Sequence, residues 1–320
     1  AALGDALGKL TEHIDLDQIL YRYGPDGVTE PPAKALFTDD TQMAIATARA
    51  LVDSGDGSLP KVMDLTVRYY LRWYDTQNSP VHRRAPGTAV IDALSRIHRG
   101  VPYSAAADGG ANGAIAATRV VPVALRYRGN PAAIAETASE IGRITHGHPA
   151  APTSGAAAAL LVDMALGDRP MAEWFTPLIA LLRRHCSEQP RDIVEAIRTA
   201  EKTMGWAPED ALERHWRQKP GEGGGWTADE AVGMGLTCFL AAPDDFVTAV
   251  RLGANAPGLS DTDGIAFVAG EMAHVPSSGT VSRSARQRSA ASTSPRLGCA
   301  GKEAMWSTAR ATTAFPMARI

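Results

Sequence analysis

Apolar side chains recur along most of the chain at three- and four-residue intervals, the spacing of one face of a helix. Met43, Ala46, Ala50 and Leu51 form one series, Val62, Leu65, Val67, Tyr69 and Leu71 a second, and Ile134, Ala138, Ile141 and Ile144 a third. No succession of alternating apolar and polar residues marks a set of strands. The run Ala157, Ala158, Ala159, Leu160, Leu161 and Val162, continuing to Leu166, is built largely of small apolar residues. It predicts a buried central helix that neighbours approach closely on several sides. Gly and Pro clusters at Gly24-Pro25-Asp26-Gly27, Pro31-Pro32, Gly109-Gly110, Pro149 to Pro152 and Gly221 to Gly225 read as the intervening loops. The pattern predicts a compact all-α domain over residues 1–275. Residues 276–320 change character: they are rich in Ser, Thr, Ala and Arg and carry seven basic residues against the single acid Glu303. That segment is expected to be a divergent, poorly ordered terminus, a basic tail for an anionic partner being the less favoured reading.

At 320 residues with 45% apolar content and a formal charge of -3, the chain can bury a sizeable core and shows no basic excess that would point to nucleic acid. Cys186, Cys238 and Cys299 are widely spaced without a CxxC pair, which argues against a disulfide framework or a structural zinc site and for a reducing cytoplasm. No signal peptide is recognised at the start, and no segment approaches the roughly 20 apolar residues of a membrane helix.

Two acidic clusters stand out, Thr38-Asp39-Asp40-Thr41 and Asp261-Thr262-Asp263, each immediately before an apolar helical stretch. Helix capping accounts for part of this, because Thr, Ser and Asp are favoured at helix N-termini. Asp39 with Gln42 resembles a capping box, and Ser260 or Asp261 suits the cap of the second helix. Capping does not require adjacent carboxylates at one end and Asp-x-Asp at the other. If the fold joins them, they offer the carboxylate and hydroxyl oxygens that Mg²⁺ or Ca²⁺ takes.

Other motifs fall in a definite order between these clusters: Gly4-Asp5-Ala6-Leu7-Gly8 followed by Glu12, Arg84-Ala85-Pro86-Gly87-Thr88, and Thr145-His146-Gly147-His148-Pro149. Together with the clusters, over residues 1 to about 272, they resemble the ADP-ribosylglycohydrolase family. The resemblance implies an all-α fold with two Mg²⁺ ions, or Mn²⁺, in a cleft. Thr38, Asp39, Asp40, Asp261 and Asp263 then carry over as candidate ligands, and Glu12 and Asp40 as candidate catalytic carboxylates. The implied reaction is hydrolysis of the bond between ADP-ribose and an arginine or serine side chain or a small acceptor. A weakly catalytic ADP-ribose-binding module and a hydrolase of ribosyl or nucleoside metabolites are the alternatives. No membrane or nucleic-acid partner is expected.

The chemistry supports these roles. Cleavage at an anomeric carbon builds oxocarbenium-like charge, which one carboxylate stabilises while another positions or deprotonates water. Glu12 is equally readable as a solvated helix residue. Asn112, Gly113, His146 and His148 are candidate substrate contacts; a plain turn and loop-fastening histidines are the competing readings. Arg84 suits a phosphate or a nearby acid, and Trp206, Trp216 and Trp226 suit adenine stacking or the core.

The chain departs from the family pattern at several places. Gly264 stands where a Ser or Thr hydroxyl normally follows the second aspartate, and Ser260 stands where a glycine is usual. The run from Asn112-Gly113 to Arg119 is about two residues longer than usual, and after Gly270-Glu271-Met272 the helical pattern gives way to the Ser/Arg-rich segment.

Overall fold

Small residues decide where the helices of this chain meet. The computed structural model describes residues 1–55, 57–186, 190–216 and 224–273. The expected Ser/Arg-rich segment 276–320, with Cys299, lies outside the described residues. The chain begins with α1 (Ala2–Gly8), α2 (Leu16–Tyr23), α3 (Asp39–Asp53), α4 (Leu59–Thr76) and α5 (Thr88–His98). Two short helices, α6 (Ile115–Thr118) and α7 (Val121–Arg126), lead into α8 (Pro131–Arg143) and α9 (Ala150–Ala165). α10 (Phe175–His185), α11 (Arg191–Lys202), α12 (Pro208–Trp216), α13 (Ala228–Ala241), α14 (Phe246–Ala254) and α15 (Thr262–Met272) follow. The described residues contain no strand; isolated bridges join Asp108 to His146 and Gly113 to Thr227.

The small-residue run forms the central helix α9, buried continuously from Ala150 to Val162. It packs against α6, α7, α8, α10, α11, α13 and α15, which its alanines permit because they hold neighbouring backbones at short range. The Ile134, Ala138, Ile141 and Ile144 series is buried as its spacing implies. α4 is turned differently from the expected series. Its buried face is Val62, Met63, Thr66, Tyr70 and Trp73, and Tyr69 instead faces outward to bond Asp53. Thr66 turns inward because its hydroxyl donates to the Val62 carbonyl (2.8 Å), so a polar residue carries no unmet hydrogen bond into the core.

α1 and α15 cross at glycines. A Cβ on Gly4 would lie 2.1 Å from the Ala266 carbonyl oxygen, and one on Gly8 would lie 2.2 Å from that of Thr262. The two helices therefore touch backbone to backbone, and the start of α15 is laid beside the end of α1. α3 also packs against α1, so the two acidic clusters lie on elements that share a neighbour.

Candidate metal centre

Asp5, fully buried on α1, orders the first acidic cluster. Its Oδ1 accepts from the Thr38 N–H (2.8 Å), and its Oδ2 accepts from the Thr41 N–H (3.2 Å) and hydroxyl (2.5 Å). Burial raises the Asp5 pKa, and these hydrogen bonds from Thr41 and Thr38 oppose the rise. Thr38 caps α3 by accepting from the Asp40 N–H (3.3 Å); the cap is Thr38, not the Asp39 of the capping-box reading. Asp39 and Asp40 thus occupy the first turn, where free N–H groups favour anions. Asp39 is fixed from the Arg84–Gly87 loop: its N–H donates to the Arg84 carbonyl (3.0 Å), and its Oδ2 accepts from the Gly87 N–H (3.4 Å). Asp40 accepts from the Thr118 hydroxyl at the end of α6.

The second cluster caps α15. Asp261 Oδ1 accepts from the Gly264 N–H (3.2 Å), while the Asp261 N–H donates to the Gly224 carbonyl (2.7 Å). Gly224 and Gly225 have φ of +115° and +82°, a region that excludes most side chains, and this lets the chain pass close to Asp261. The buried Thr262 hydroxyl donates to the Gly8 carbonyl (2.7 Å), so Asp261 and Asp263 flank a residue pinned to α1. Ligand atoms of Glu12, Asp261 and Asp263 all lie within 4.8 Å of one another.

The electrostatics join the clusters. Burial, then repulsion from Asp263, holds the Asp39 carboxyl well above the usual carboxylate range. Burial, then Asp39 and Asp263, does the same to Asp40, and burial, then Asp263 and Asp40, to Asp261. Asp263 is pushed up to about 7 by burial and by Glu12. Asp263 Oδ1 is buried without a hydrogen-bond partner. Hard oxygen donors that repel one another, one of them unsatisfied, fit a divalent cation. Helix capping is therefore part of the explanation for Thr38 and Asp261, and does not account for the unsatisfied Asp263.

Glu12 stands at the edge of this group. Lys9 Nζ contacts its Oε2, and His13 Nε2 lies 3.0 Å from its Oε1. Burial lowers the Lys9 pKa, but Glu12, Asp263 and Asp39 outweigh it and leave the ammonium with a raised pKa.

Asn112 and Gly113 lie on a loop threaded between two segments. The Asn112 carbonyl accepts from Ala228 N–H (3.0 Å), its Nδ2 donates to Asp229 Oδ1 (3.0 Å), and Ala114 N–H donates to the Trp226 carbonyl (3.1 Å). From the other side, His148 N–H donates to the Ala111 carbonyl (3.1 Å), and its Nδ1 accepts from Ala150 N–H (3.2 Å). His146 is only 1% exposed, and its Nδ1 lies 2.8 Å from the Thr145 hydroxyl. Burial, then Arg119, pushes its pKa down to about 3, so the ring is neutral at physiological pH. Its Nε2 lies 2.9 Å from where a Gly113 Cβ would stand. The His148 backbone ties the loop to α9, and the His146 ring packs against Gly113.

The sequence did not single out several residues that complete this site. Asp5 was legible only as part of a motif, although a buried Asp between two glycines on a helix is itself a signal. Thr118, Lys9 and His13 carried no sequence signal. Trp226 was one of three tryptophans; it proves to link the loops, with its Nε1–H donating to the Leu259 carbonyl (2.7 Å). Trp206 is instead 52% exposed and lines a cavity with Thr203, Met204 and Pro208, and the Trp216 side chain lies outside the described residues. Arg119 is fully buried, donates to the Ile141 and Gly142 carbonyls (3.0 and 3.2 Å) and lies 5.0 Å over the Tyr70 ring.

No helix among the described residues is long and apolar enough to cross a membrane. Over 177 residues the chain is 30% identical to ADP-ribosyl-[dinitrogen reductase] glycohydrolase of Rhodospirillum rubrum, a match covering 53% of this chain and 56% of that protein. The chain thus spans little more than half the length of that curated relative. Among solved structures it is similar to one described as an ADP-ribosylglycohydrolase-related protein complex, with 28% identity, a TM-score of 0.57 and coverage of 85% of this chain and 84% of that one. The family model for ADP-ribosylglycohydrolase matches residues 1–273, and with the motifs assembled as described the chain belongs to the ADP-ribosylglycohydrolase family.

Proposed function

We propose that this protein is a divalent-cation-dependent hydrolase that cleaves the glycosidic bond between ADP-ribose and an acceptor, either an arginine or serine side chain or a small molecule. The observation that carries the reading is the mutual repulsion of Asp39, Asp40, Asp261 and Asp263 around the buried, unpartnered Asp263 Oδ1. Thr38, Asp39, Asp40, Asp261 and Asp263 would hold the ions, two Mg²⁺ or Mn²⁺ by family resemblance. When bound, such ions neutralise the crowded carboxylates and polarise substrate oxygens.

The residues of the chain supply the rest. Hydrolysis replaces the bond from C1″ to the acceptor with a bond from C1″ to a water oxygen; one proton leaves the water and one reaches the acceptor atom. Glu12, whose carboxylate lies near Asp261 and Asp263, would move the water proton. Asp40 supports positive charge developing at C1″. The loop of Asn112 and Gly113, backed by His146 and His148, would present backbone to the ribose or diphosphate. A cytoplasmic setting rests on the wide spacing of Cys186, Cys238 and Cys299, which form no CxxC pair.

The test is release of free ADP-ribose from ADP-ribosylated arginine and serine peptides and from small ADP-ribosyl compounds, with Mg²⁺, with Mn²⁺ and with chelator. Cation-dependent release supports the reading, and no release from any of them sinks it. Gly264 favours a second reading, a binding module with little turnover, since no hydroxyl reaches the site from that position. Tight ADP-ribose binding that survives Asp40→Ala, with no hydrolysis by the unaltered protein, would establish that alternative. Release from nucleoside or ribosyl metabolites alone would move the substrate class without changing the chemistry.

A further inference from the structure

The geometry points to His13 as a positioning residue for Glu12, an inference that rests on the proposed hydrolytic role of Glu12. Glu12 lies just beyond α1, where Thr11 and Glu12 N–H groups still donate to the Gly8 carbonyl (2.9 and 3.1 Å). The backbone then turns at His13 with φ of +64°, in the left-handed region that residues with a Cβ seldom adopt. A conformation of this kind persists where the surroundings over-determine it, and such positions cluster at functional sites.

Here the surroundings are identifiable. The turn carries the imidazole back toward Glu12, with Nε2 3.0 Å from Oε1. The ring also stacks on the Trp226 indole, with centroids 4.7 Å apart and planes 14° from parallel. Trp226 is itself held, its Nε1–H by the Leu259 carbonyl, two residues before Asp261, and its carbonyl by the Ala114 N–H, next to Gly113. The imidazole therefore ties the Glu12 carboxylate to the segment that carries Asp261 and to the Asn112 loop. Lys9 holds the other oxygen, Oε2. With Lys9 bonded to one oxygen and the His13 ring nitrogen 3.0 Å from the other, the carboxylate is flanked on both sides beside Asp261 and Asp263. Without His13 only the flexible lysine remains.

An exposed ring resting on a tryptophan is the competing account, and the left-handed turn offers a way to separate the two. At φ of +64° glycine is the relaxed residue, so His13→Gly removes the imidazole while relieving the backbone. The experiment compares the unaltered protein, His13→Gly and His13→Gln. The readouts are kcat and KM on an ADP-ribosylated substrate, the Mn²⁺ dissociation constant without substrate, and thermal stability. The expected result for His13→Gly is an unchanged or higher Tm, a kcat lowered by about 10- to 100-fold with KM little altered, and weakened Mn²⁺ binding. His13→Gln, whose amide N–H reaches about as far as imidazole Nε2, recovers most of the kcat. Unaltered kcat and Mn²⁺ affinity in His13→Gly overturn the assignment. A fall in Tm with losses that glutamine does not recover makes His13 a packing residue and also overturns it. If the unaltered protein releases no ADP-ribose, the proposed function fails, and the Mn²⁺ affinities alone decide the role of His13.

Discussion

Gly8 lies against Thr262 so closely that a Cβ on the glycine would stand 2.2 Å from the threonine carbonyl oxygen. The obstacle is backbone on both sides, so no rotamer change relieves it. Because Thr262 sits between Asp261 and Asp263, a displaced helix moves both. Gly8→Ala is expected to cost about 3 kcal/mol or more, at the upper end of overpacking effects, and to abolish saturable Mn²⁺ binding in the fraction that folds. Denaturant melts and a Mn²⁺ titration check this; a variant with unchanged Cm and affinity would refute the close crossing.

Asp5→Asn preserves shape but replaces an acceptor oxygen with a donor amide among N–H and hydroxyl donors from Thr38 and Thr41. Whichever way the amide turns, donors face a donor. We expect a loss of about 2–3 kcal/mol, the cost of buried donors left unsatisfied, and divalent affinity lowered by about 10-fold or more. Equilibrium unfolding and calorimetric titration read the two effects separately.

These residues show what the sequence could and could not reveal. Helical spacing exposed the all-α class and the burial of Ile134, Ala138, Ile141 and α9, because small or apolar runs have few other uses. It misplaced the face of α4, where Thr66 turns inward by bonding its own helix and Tyr69 turns outward to Asp53. The acidic clusters were legible as chemistry because paired carboxylates exceed what a cap requires. The groups bonded to them were not, since Asp5, Gly87 and Thr118 reach Thr38, Thr41, Asp39 and Asp40 through contacts made only by folding, between segments distant along the chain.

The ion-free cluster makes stability depend on pH with a definite sign. Asp263 rises to about 7 in the folded chain, and Asp39, Asp40 and Asp261 rise well above their usual range. A folded pKa above the unfolded one means that the folded state holds extra protons, so this contribution to stability is lost as pH rises through about 7. In chelator, Tm should therefore increase as pH is lowered from about 8 to 6.5, a window that lies above the range where neutral histidines are penalised. Saturating Mg²⁺ or Mn²⁺ should raise Tm more at the upper end of that window, because the ion competes with protons. A cation-induced shift that is equal at both pH values would contradict the shared carboxylate site.

Gly264→Ser adds a hydroxyl beside Asp261, where the family resemblance implies one. A Cβ there would lie 3.0–3.2 Å from the Asp261 carboxylate, tight enough to require a small movement of that side chain. We expect Mn²⁺ affinity to rise severalfold, with any turnover rising in parallel. Weaker binding would mean that the Asp261 rotamer depends on glycine at this position.

His146 carries the opposite pH dependence. Its folded pKa of about 3 lies below that of an unfolded histidine, so the unfolded state gains a proton first. The protein should lose about 1.4 kcal/mol per pH unit from this group as pH falls below about 6.5. His146→Gln removes that slope. The variant is expected to be less stable than the unaltered protein at neutral pH and to approach it as the pH falls toward 4.5, a convergence that thermal melts across the range would reveal.

The hydrogen bond from the Thr262 hydroxyl to the Gly8 carbonyl spans 254 positions of sequence. During synthesis, Asp39 and Asp40 leave the ribosome long before Asp261 and Asp263, and α1 meets its neighbours α14 and α15 only after nearly all of the described chain has emerged. The proposed cation site is therefore assembled only at the end, when the last described helix docks onto the first. On that proposal cation affinity doubles as a gauge of completed folding: a chain halted or clipped before Asp261 would keep Thr38, Asp39 and Asp40, lose Asp261 and Asp263 together, and hold no ion.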